Sequence, residues 1–134
     1  MATLVNGGTH YQAHLLKAVY ANDGSEVQFV YAPEVVNQVE LDQKNLDAVK
    51  AGMLELTEKG SLAKYFRDLD VKVGAKTGSA QVSATSNESN AVLVCFAPYD
   101  EPEIALAIVA EKGGTGSELG AVAADIFQYY FAER

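Results

Sequence analysis

Residues 76–79, with the sequence Lys-Thr-Gly-Ser, place a cation, two hydroxyls and a glycine in a row on a segment that starts as a strand. Successive side chains of a strand point to opposite faces, so Lys76 and Gly78 share one face, and Thr77 and Ser79 share the other. Gly78 lets a ligand approach the backbone, where the Ser79 N–H can meet a developing oxyanion. A cation and hydroxyls beside that amide suit a carboxylate-bearing substrate. By themselves, these residues favour a simpler interpretation, a glycine bulge in a surface strand with solvated polar side chains.

The segments after this run predict an antiparallel sheet. Two apolar runs follow, NAVLVCFAPYD and PEIALAIVAEKGG, and the β-branched residues and flanking Pro and Gly of each are typical of a strand. Three strands joined by loops form an antiparallel meander. The polar run SATSNESN, residues 83–90, is expected to be the exposed loop between the first two strands, and APYDEP the hairpin between the last two.

One helix is predicted before this meander in the sequence and another after it. Before it, LDQKNLDAVKAGMLELTEKG predicts a helix capped by Asp42 and stopped by Gly60. After it, GSELGAVAADIFQYYFAER predicts a closing helix that packs on the sheet, with Ser117 as its N-cap. The expected apolar faces are Leu46, Val49, Met53 and Leu56 in the first helix, and Leu119, Val122, Ile126, Tyr129 and Tyr130 in the second. The predicted fold class is therefore α+β.

The N-terminal segment predicts smaller elements. ATLVNGG is the last turn of a helix stopped by glycine, or a strand that enters a turn. Asn22-Asp23-Gly24 is a turn signal that predicts a small hairpin between HLLKAVY and EVQFVY. His10 and His14 are four residues apart but have no evident third ligand, so we expect no metal site.

Composition narrows the function further. The chain has 134 residues, the size of one domain or part of one, and its net charge is −8. Spread acidic residues argue against a nucleic-acid partner and against an anionic membrane surface. We find neither a signal peptide nor an apolar run long enough for a membrane span. The single cysteine, Cys95, lies in an apolar run and is expected to be a packed core thiol rather than a nucleophile.

The order of these segments resembles the C-terminal part of a penicillin-binding transpeptidase domain of the class B-like D,D-transpeptidases. The segments are the KTGSAQ strand, the FAPYD hairpin, PEIALAIVAEKGG and the closing helix. ATLVNGGTHYQAHLLKAV and LDAVKAGMLELTEKG resemble the segments that precede the motif strand in that family. The sequence departs from the family at Ser79, where threonine is commoner, at Ala13, where a proline usually precedes His14, and in NAVLVCF, which lacks an aromatic pair. The resemblance covers nearly all of residues 1–134 and implies a β-lactamase/transpeptidase-like fold without a cofactor.

The resemblance also implies a role for each motif residue. The family acylates an active-site serine with a D-alanyl-D-alanine stem peptide of peptidoglycan or with a β-lactam, and the Lys-Thr-Gly strand forms one wall of its cleft. Lys76 would supply positive potential and hydrogen bonding, and Gly78 clearance. Thr77 and Ser79 would bind the substrate carboxylate, and the Ser79 N–H would be one oxyanion donor. Gln81 lies further along the same strand. Full-length members work on the extracytoplasmic face of the cytoplasmic membrane.

Two other family motifs, Ser-x-x-Lys and Ser-x-Asn, are matched in this sequence only by residues at the wrong positions. Residues 61–64 (Ser-Leu-Ala-Lys) match the first pattern but lie just before the motif strand, whereas the family nucleophile lies well over a hundred residues before it. Residues 85–87 (Thr-Ser-Asn) lie after the strand, in the wrong order. We therefore expect residues 1–134 to be the C-terminal portion of the domain, without its nucleophile. The chain alone should be inactive and should self-associate through an exposed sheet face. A non-catalytic penicillin-binding sensor or scaffold module and a serine β-lactamase relative remain as alternatives.

Overall fold

The computed structural model describes residues 1–82 and 88–132. Its backbone divides into two compact units, Ala2–Leu41 and a second unit that begins at Asp42. The motif strand and the elements that pack against it all belong to the second unit.

The first unit contains one short helix and four short strands. Helix α1 spans Ala2–Val5, and Gly7 and Gly8 follow it with positive φ angles of 81° and 93°. A Cβ on Gly8 would lie 2.1 Å from the Val39 carbonyl oxygen, so no side chain fits there. The helix-and-glycine alternative for this segment is therefore the one observed.

The strands of the first unit form two antiparallel pairs. Strand β1 (Thr9–Tyr11) pairs with β4 (Val35–Gln38), and β2 (Ala18–Tyr20) pairs with β3 (Val27–Val30). The β2–β3 pair is the predicted hairpin. The Asp23 carboxylate stabilises its turn by accepting hydrogen bonds from the Ser25 N–H and hydroxyl, and these bonds lower the pKa of Asp23.

The second unit opens with helix α2 (Gln43–Glu58), which begins and ends where the sequence predicts. The Asp42 carboxylate accepts a hydrogen bond from the Asn45 N–H at 3.0 Å and caps the helix. Its predicted packing face is wrong at one position, because Val49 is 51% exposed while Met53 and Thr57 are buried. A short helix, α3 (Ala63–Phe66), follows.

Three antiparallel strands form the predicted meander. Strands β5 (Gly74–Gln81), β6 (Ser89–Ala97) and β7 (Ile104–Ala110) lie in the order β5-β6-β7, with an unbroken register in both pairs. Most of the predicted loop SATSNESN lies outside the described residues. One face of this sheet is buried around Leu93 and Cys95, which are 0% exposed.

Helix α4 (Leu119–Ala132) packs on that buried face, with Leu119 partly buried against the core as predicted, but Val122, Ile126 and Tyr129 of the predicted face are exposed. Its buried residues are Gly120, Ala123 and Phe127. Small side chains allow the helix to approach closely: a Cβ on Gly120 would lie 2.4 Å from the Tyr65 ring. The core cluster consists of Leu62, Phe66, Val73, Ala75, Leu93, Cys95, Ala97, Ala123 and Phe127. The fold is α+β, as expected.

The predicted N-cap of α4 is also wrong. The helix begins at Leu119, two residues beyond Ser117. The Ser117 hydroxyl donates instead to the Ser61 hydroxyl at 3.4 Å. No helix in the described ranges has the length and apolar character that crossing a bilayer demands.

Candidate active site

All of the predicted site residues lie on β5, which has a strand neighbour on one side only among the described residues. Thr77 and Ser79 are paired with Leu93 and Ala91 of β6, both fully buried. Thr77 and Gly78 are half-buried. Lys76, Ser79 and Gln81 are exposed. The ammonium and both hydroxyl groups are thus held on a rigid sheet, at an edge that solvent reaches.

The direction of the Ser79 amide follows from the ladder. In an antiparallel pair, alternate residues exchange both backbone hydrogen bonds with the neighbouring strand, and those between them point away. The Val82 N–H donates to the Glu88 carbonyl at 3.1 Å, in register with the β5–β6 pairing, so even-numbered residues of β5 face β6. The Ser79 N–H and the Thr77 carbonyl therefore point outward from the open edge.

Lys76 occupies this edge with its own side chain. Its ammonium donates a hydrogen bond to the Thr77 carbonyl at 2.7 Å. The cation therefore lies along the edge of the strand, close to the outward peptide groups, and is solvent-exposed. Its positive potential acts where an anionic ligand of this edge would bind.

Gly78 leaves space on the opposite face of the sheet from the core. The nearest atom to a Cβ built on it is Val92 Cβ at 3.6 Å, an ordinary contact distance. The glycine is therefore not required by close packing on its own side-chain face. Its absent side chain leaves that face open beside the peptide group of Ser79.

Sequence reasoning missed Gly116 as part of this site. Gly116 is buried in the loop between β7 and α4, and a Cβ on it would lie 2.1 Å from the Val92 carbonyl oxygen and 2.8 Å from that of Gly78. The glycine-rich run KGGTGSELG lies between the last predicted strand and the closing helix, and by itself it is typical of a strand-to-helix turn. Nothing in that run indicates which backbone the loop would contact.

A second missed residue is Thr57, on α2. Thr57 is 4% exposed, and its hydroxyl lies 2.5 Å from the Val73 carbonyl oxygen and 2.8 Å from that of Leu54. It ties the helix to the residue that directly precedes β5. Its position on the helix fits the spacing of the buried face, but a threonine was not counted as a core residue.

Ser61 and Lys64, which match the Ser-x-x-Lys pattern, make contacts that do not involve β5. Ser61 contacts Ser117, while the Lys64 ammonium lies 3.9 Å from Glu118 and over the Tyr65 ring. The Tyr65 hydroxyl, and then the Glu118 carboxylate, raise the pKa of Lys64 above its ordinary value. A lysine that activates a serine must lose a proton, so this environment works against such a role. Residues 85–87 lie outside the described residues.

Other reactive side chains are buried or in contact with neighbours of their own. Burial raises the pKa of the Cys95 thiol to about 12, as expected of a core residue and unlike a nucleophile. His14 stacks on Tyr31, and its Nδ1 lies 2.8 Å from the Leu16 carbonyl oxygen. Within the ranges that the structure describes, no three His, Cys, Asp or Glu side chains converge as a metal cluster.

The edge of β5 thus offers one outward N–H, two hydroxyls on the strand, a cation and an open glycine face. Such a set can bind a carboxylate and stabilise negative charge on a carbonyl oxygen. It supplies no nucleophile. Acyl transfer at this edge needs a nucleophile and a second oxyanion donor from other residues.

Comparison with known proteins identifies the family of the chain. The family model described as the penicillin-binding protein transpeptidase domain matches residues 1–131. Penicillin-binding protein 2A of Bacillus subtilis is 34% identical over 81% of this chain, and peptidoglycan D,D-transpeptidase MrdA of Escherichia coli (strain K12) is 29% identical over 94% of it. The chain spans 17% and 22% of the length of these two proteins.

The solved structures give the same result for the fold. Penicillin-binding protein 2B from Streptococcus pneumoniae superposes on 99% of this chain with a TM-score of 0.77 at 22% sequence identity, and the matched region is 23% of that chain. At this identity the likeness concerns the fold alone. The family match covers almost the whole chain, however, and the chain therefore belongs to the penicillin-binding protein transpeptidase domain family.

Proposed function

We propose that this chain provides the Lys-Thr-Gly wall of the active-site cleft in a peptidoglycan D,D-transpeptidase. The observation that carries the proposal is the outward Ser79 N–H at the open edge of β5, between the Lys76 cation and an exposed glycine face. The ligand is a D-alanyl-D-alanine stem peptide or a β-lactam. Both carry a carboxylate close to the carbonyl carbon that a serine attacks.

In this proposal, each residue of the edge has one task. The Thr77 and Ser79 hydroxyls donate to the ligand carboxylate, and Lys76 adds positive potential after its ammonium leaves the Thr77 carbonyl. The Ser79 N–H donates to the carbonyl oxygen as it becomes an oxyanion. Gly78 lets the ligand lie against the strand, and Gln81, exposed two residues beyond Ser79, contacts the part of the ligand further along.

We further propose that the 134-residue chain alone is not acylated. The described residues of the second unit place no serine with an activating base beside the Ser79 amide, and Ser61 and Lys64 are occupied elsewhere. One oxyanion donor without a nucleophile gives binding at most. The working site would form outside the cytoplasmic membrane, where peptidoglycan is assembled, with the nucleophile supplied by other residues of the domain.

Fluorescent penicillin followed by denaturing electrophoresis tests the proposal. The chain alone should give no labelled band, and the longest reading frame that contains it should give one. A labelled band from the chain alone would show that it carries its own nucleophile. An unlabelled product of the full reading frame would instead favour a non-catalytic module.

Two substitutions at residue 79 separate the amide from the hydroxyl. Ser79→Ala keeps the N–H and removes only the hydroxyl, so it should mainly weaken carboxylate binding. Ser79→Pro removes the N–H, and proline is tolerated on an edge strand where that N–H is not part of the ladder. We expect Ser79→Pro to lower the acylation rate constant about 100- to 1,000-fold. Equal rates for the two variants would rule out the amide as oxyanion donor.

A further inference from the structure

The loop between β7 and α4 lies directly against the backbone of the motif strand. Gly116 is buried there, and a Cβ on it would lie 2.1 Å from the Val92 carbonyl oxygen, 2.8 Å from the Gly78 carbonyl oxygen and 3.1 Å from the Gly78 nitrogen. Contacts below 3.0 Å with backbone atoms cannot be relieved by turning a side chain. The loop therefore occupies this position only because residue 116 has no side chain.

The Gly78 carbonyl that Gly116 contacts belongs to the same peptide group as the Ser79 N–H. This group is planar and trans, so its carbonyl points to β6 while its N–H points to the open edge. A displacement of the Gly78 carbonyl must therefore tilt the Ser79 N–H as well. Gly78 itself offers little resistance, because glycine has the widest backbone freedom and only Val92 Cβ lies within 4 Å of its side-chain position.

The loop is well placed to hold this peptide group, because it is fixed on the neighbouring strand. The Gly114 N–H donates to the Ser89 carbonyl at 3.0 Å, and the Lys112 N–H donates to the Asn90 side chain at 2.9 Å. The Lys112 ammonium also lies 3.2 Å from the Glu88 carboxylate. These contacts anchor the loop to the start of β6, the strand that pairs with Gly78.

We propose that Gly116 is a positioning residue: its backbone packs on the Gly78–Ser79 peptide group and sets the angle of the Ser79 N–H toward the oxyanion. This inference rests on the proposed function of that N–H. Gly116 touches no ligand and acts through the strand. It gives the run KGGTGSELG a task in the site that the motif residues alone do not explain.

The contact is tested first in the 134-residue chain, without any ligand. Gly116→Ala should change the amide NMR chemical shifts of Gly78, Ser79 and Val92 much more than it changes those of residues in β7. Gly114→Asn is the matched control in the same loop, because Gly114 has a φ of 73°, which asparagine tolerates, and no atom within 4 Å of a Cβ. An unchanged Ser79 resonance in Gly116→Ala would overturn the inference, whatever the chain's function.

The consequence for chemistry is tested in the longest reading frame that contains the chain. Gly116→Ala should lower the acylation rate constant for penicillin about 10- to 100-fold, less than loss of the amide, since a tilted donor keeps part of its effect. The dissociation constant of the non-covalent complex that precedes acylation should change by less than about threefold, because the carboxylate contacts remain. Gly114→Asn should change the measured constants by no more than about threefold. A loss confined to the dissociation constant, or a Gly114→Asn variant equally slow, would contradict a positioning role.

Two outcomes are kept apart by this design. If the parent protein is not acylated, the proposed function fails, while the resonance of Ser79 still decides whether Gly116 sets its amide. If Gly116→Ala does not fold, the double variant Thr115→Gly, Ser117→Gly loosens the loop without a collision. It should shift the Ser79 resonance in the chain and slow acylation in the full reading frame, and an unchanged resonance would overturn the inference.

Discussion

At the scale of single residues, the proposed site depends on a backbone amide more than on any side chain. The motif residues were identified from their types, but the outward direction of the Ser79 N–H needed the register of β5 and β6. Side chains that look reactive in the sequence prove to be occupied or buried. Lys64 pairs with Glu118, and Cys95 is enclosed by the core.

Cys95 provides a direct test of that enclosure. Burial raises the pKa of its thiol from 9.0 to about 12, so the folded chain keeps it protonated where the unfolded chain ionises it. Ellman's reagent should therefore label the native chain at mildly alkaline pH only as fast as the chain unfolds, and label the denatured chain fully. Rapid labelling of the native chain would show that the core around Cys95 is open.

The raised pKa of the Cys95 thiol also makes the free energy of unfolding depend on pH. A raised folded pKa gives a contribution that is fully present below pH 9.0 and is lost as pH rises toward about 12. Cys95→Ala should remove this part of the alkaline loss. The free energy of unfolding by urea, measured for both chains across that range, gives the comparison.

Thr57 tests whether one buried hydroxyl holds the start of the motif strand. Thr57→Val keeps the shape and removes the donor to the Val73 carbonyl. We expect a loss of about 1 to 3 kcal/mol in the free energy of unfolding, the cost of leaving a buried carbonyl without its donor. Thr115→Val makes the same change at an exposed position and should alter stability by less than about 0.5 kcal/mol. Equal effects would remove Thr57 from this role.

At the scale of elements, the strands of the meander and both ends of α2 follow from the sequence, while the start of α4 and the helix faces follow only in part. The three-strand meander, the β2–β3 hairpin and the Asp42 cap are confirmed, because alternation, turn residues and caps are local signals. The predicted face of α4 is wrong at Val122, Ile126 and Tyr129, which are exposed. The buried face is rotated to Gly120, Ala123 and Phe127, and Gly120 lets the helix approach Tyr65 of α3 closely.

This corrected face of α4 predicts opposite results for one substitution at neighbouring alanines. Ala123 is 0% exposed, so Ala123→Leu overpacks the core and should cost about 1 to 3 kcal/mol of unfolding free energy. Ala121 is exposed, so Ala121→Leu should change stability by less than about 0.5 kcal/mol. Thermal or urea unfolding measures both. A larger loss at residue 121 than at residue 123 would contradict the observed packing face of α4.

Only part of the candidate site could be predicted from the sequence. Residues 76–79 are contiguous and carry distinctive chemistry, so a short window is enough to find them. Gly116 reaches the strand from 38 positions beyond Gly78 (116 against 78), through a contact that consists of a missing side chain. No composition or periodicity signal reports that a particular backbone lies 2 to 3 Å from an absent Cβ.

At the scale of the whole molecule, apolar surface and net charge act against each other. Val109 on β7 is 64% exposed and lies on the sheet face opposite the buried Leu93, and Val122 on α4 is 47% exposed. Exposed apolar surface of this kind favours association. The net charge of −8 opposes it, because copies of the chain repel one another until salt screens the charges.

We therefore expect the chain to self-associate, and to do so more strongly at high salt. Static light scattering over a range of concentrations measures the mass. Val109→Lys should reduce association if the sheet face carries it, while Val122→Lys makes the same change on α4 and should have a smaller effect. A monomer at high concentration and high salt would count against self-association, and a larger effect of Val122→Lys would move the interface to the helix.

The main-chain nature of the Ser79 donor has a consequence for how such a site evolves. Every residue type except proline carries a backbone N–H, so almost any codon at position 79 preserves the donor. If this N–H is the proposed oxyanion donor, most substitutions that weaken it would act by re-aiming the peptide plane from neighbours, in the strand or in the loop that contains Gly116. Sequencing position 79 alone would overlook those changes.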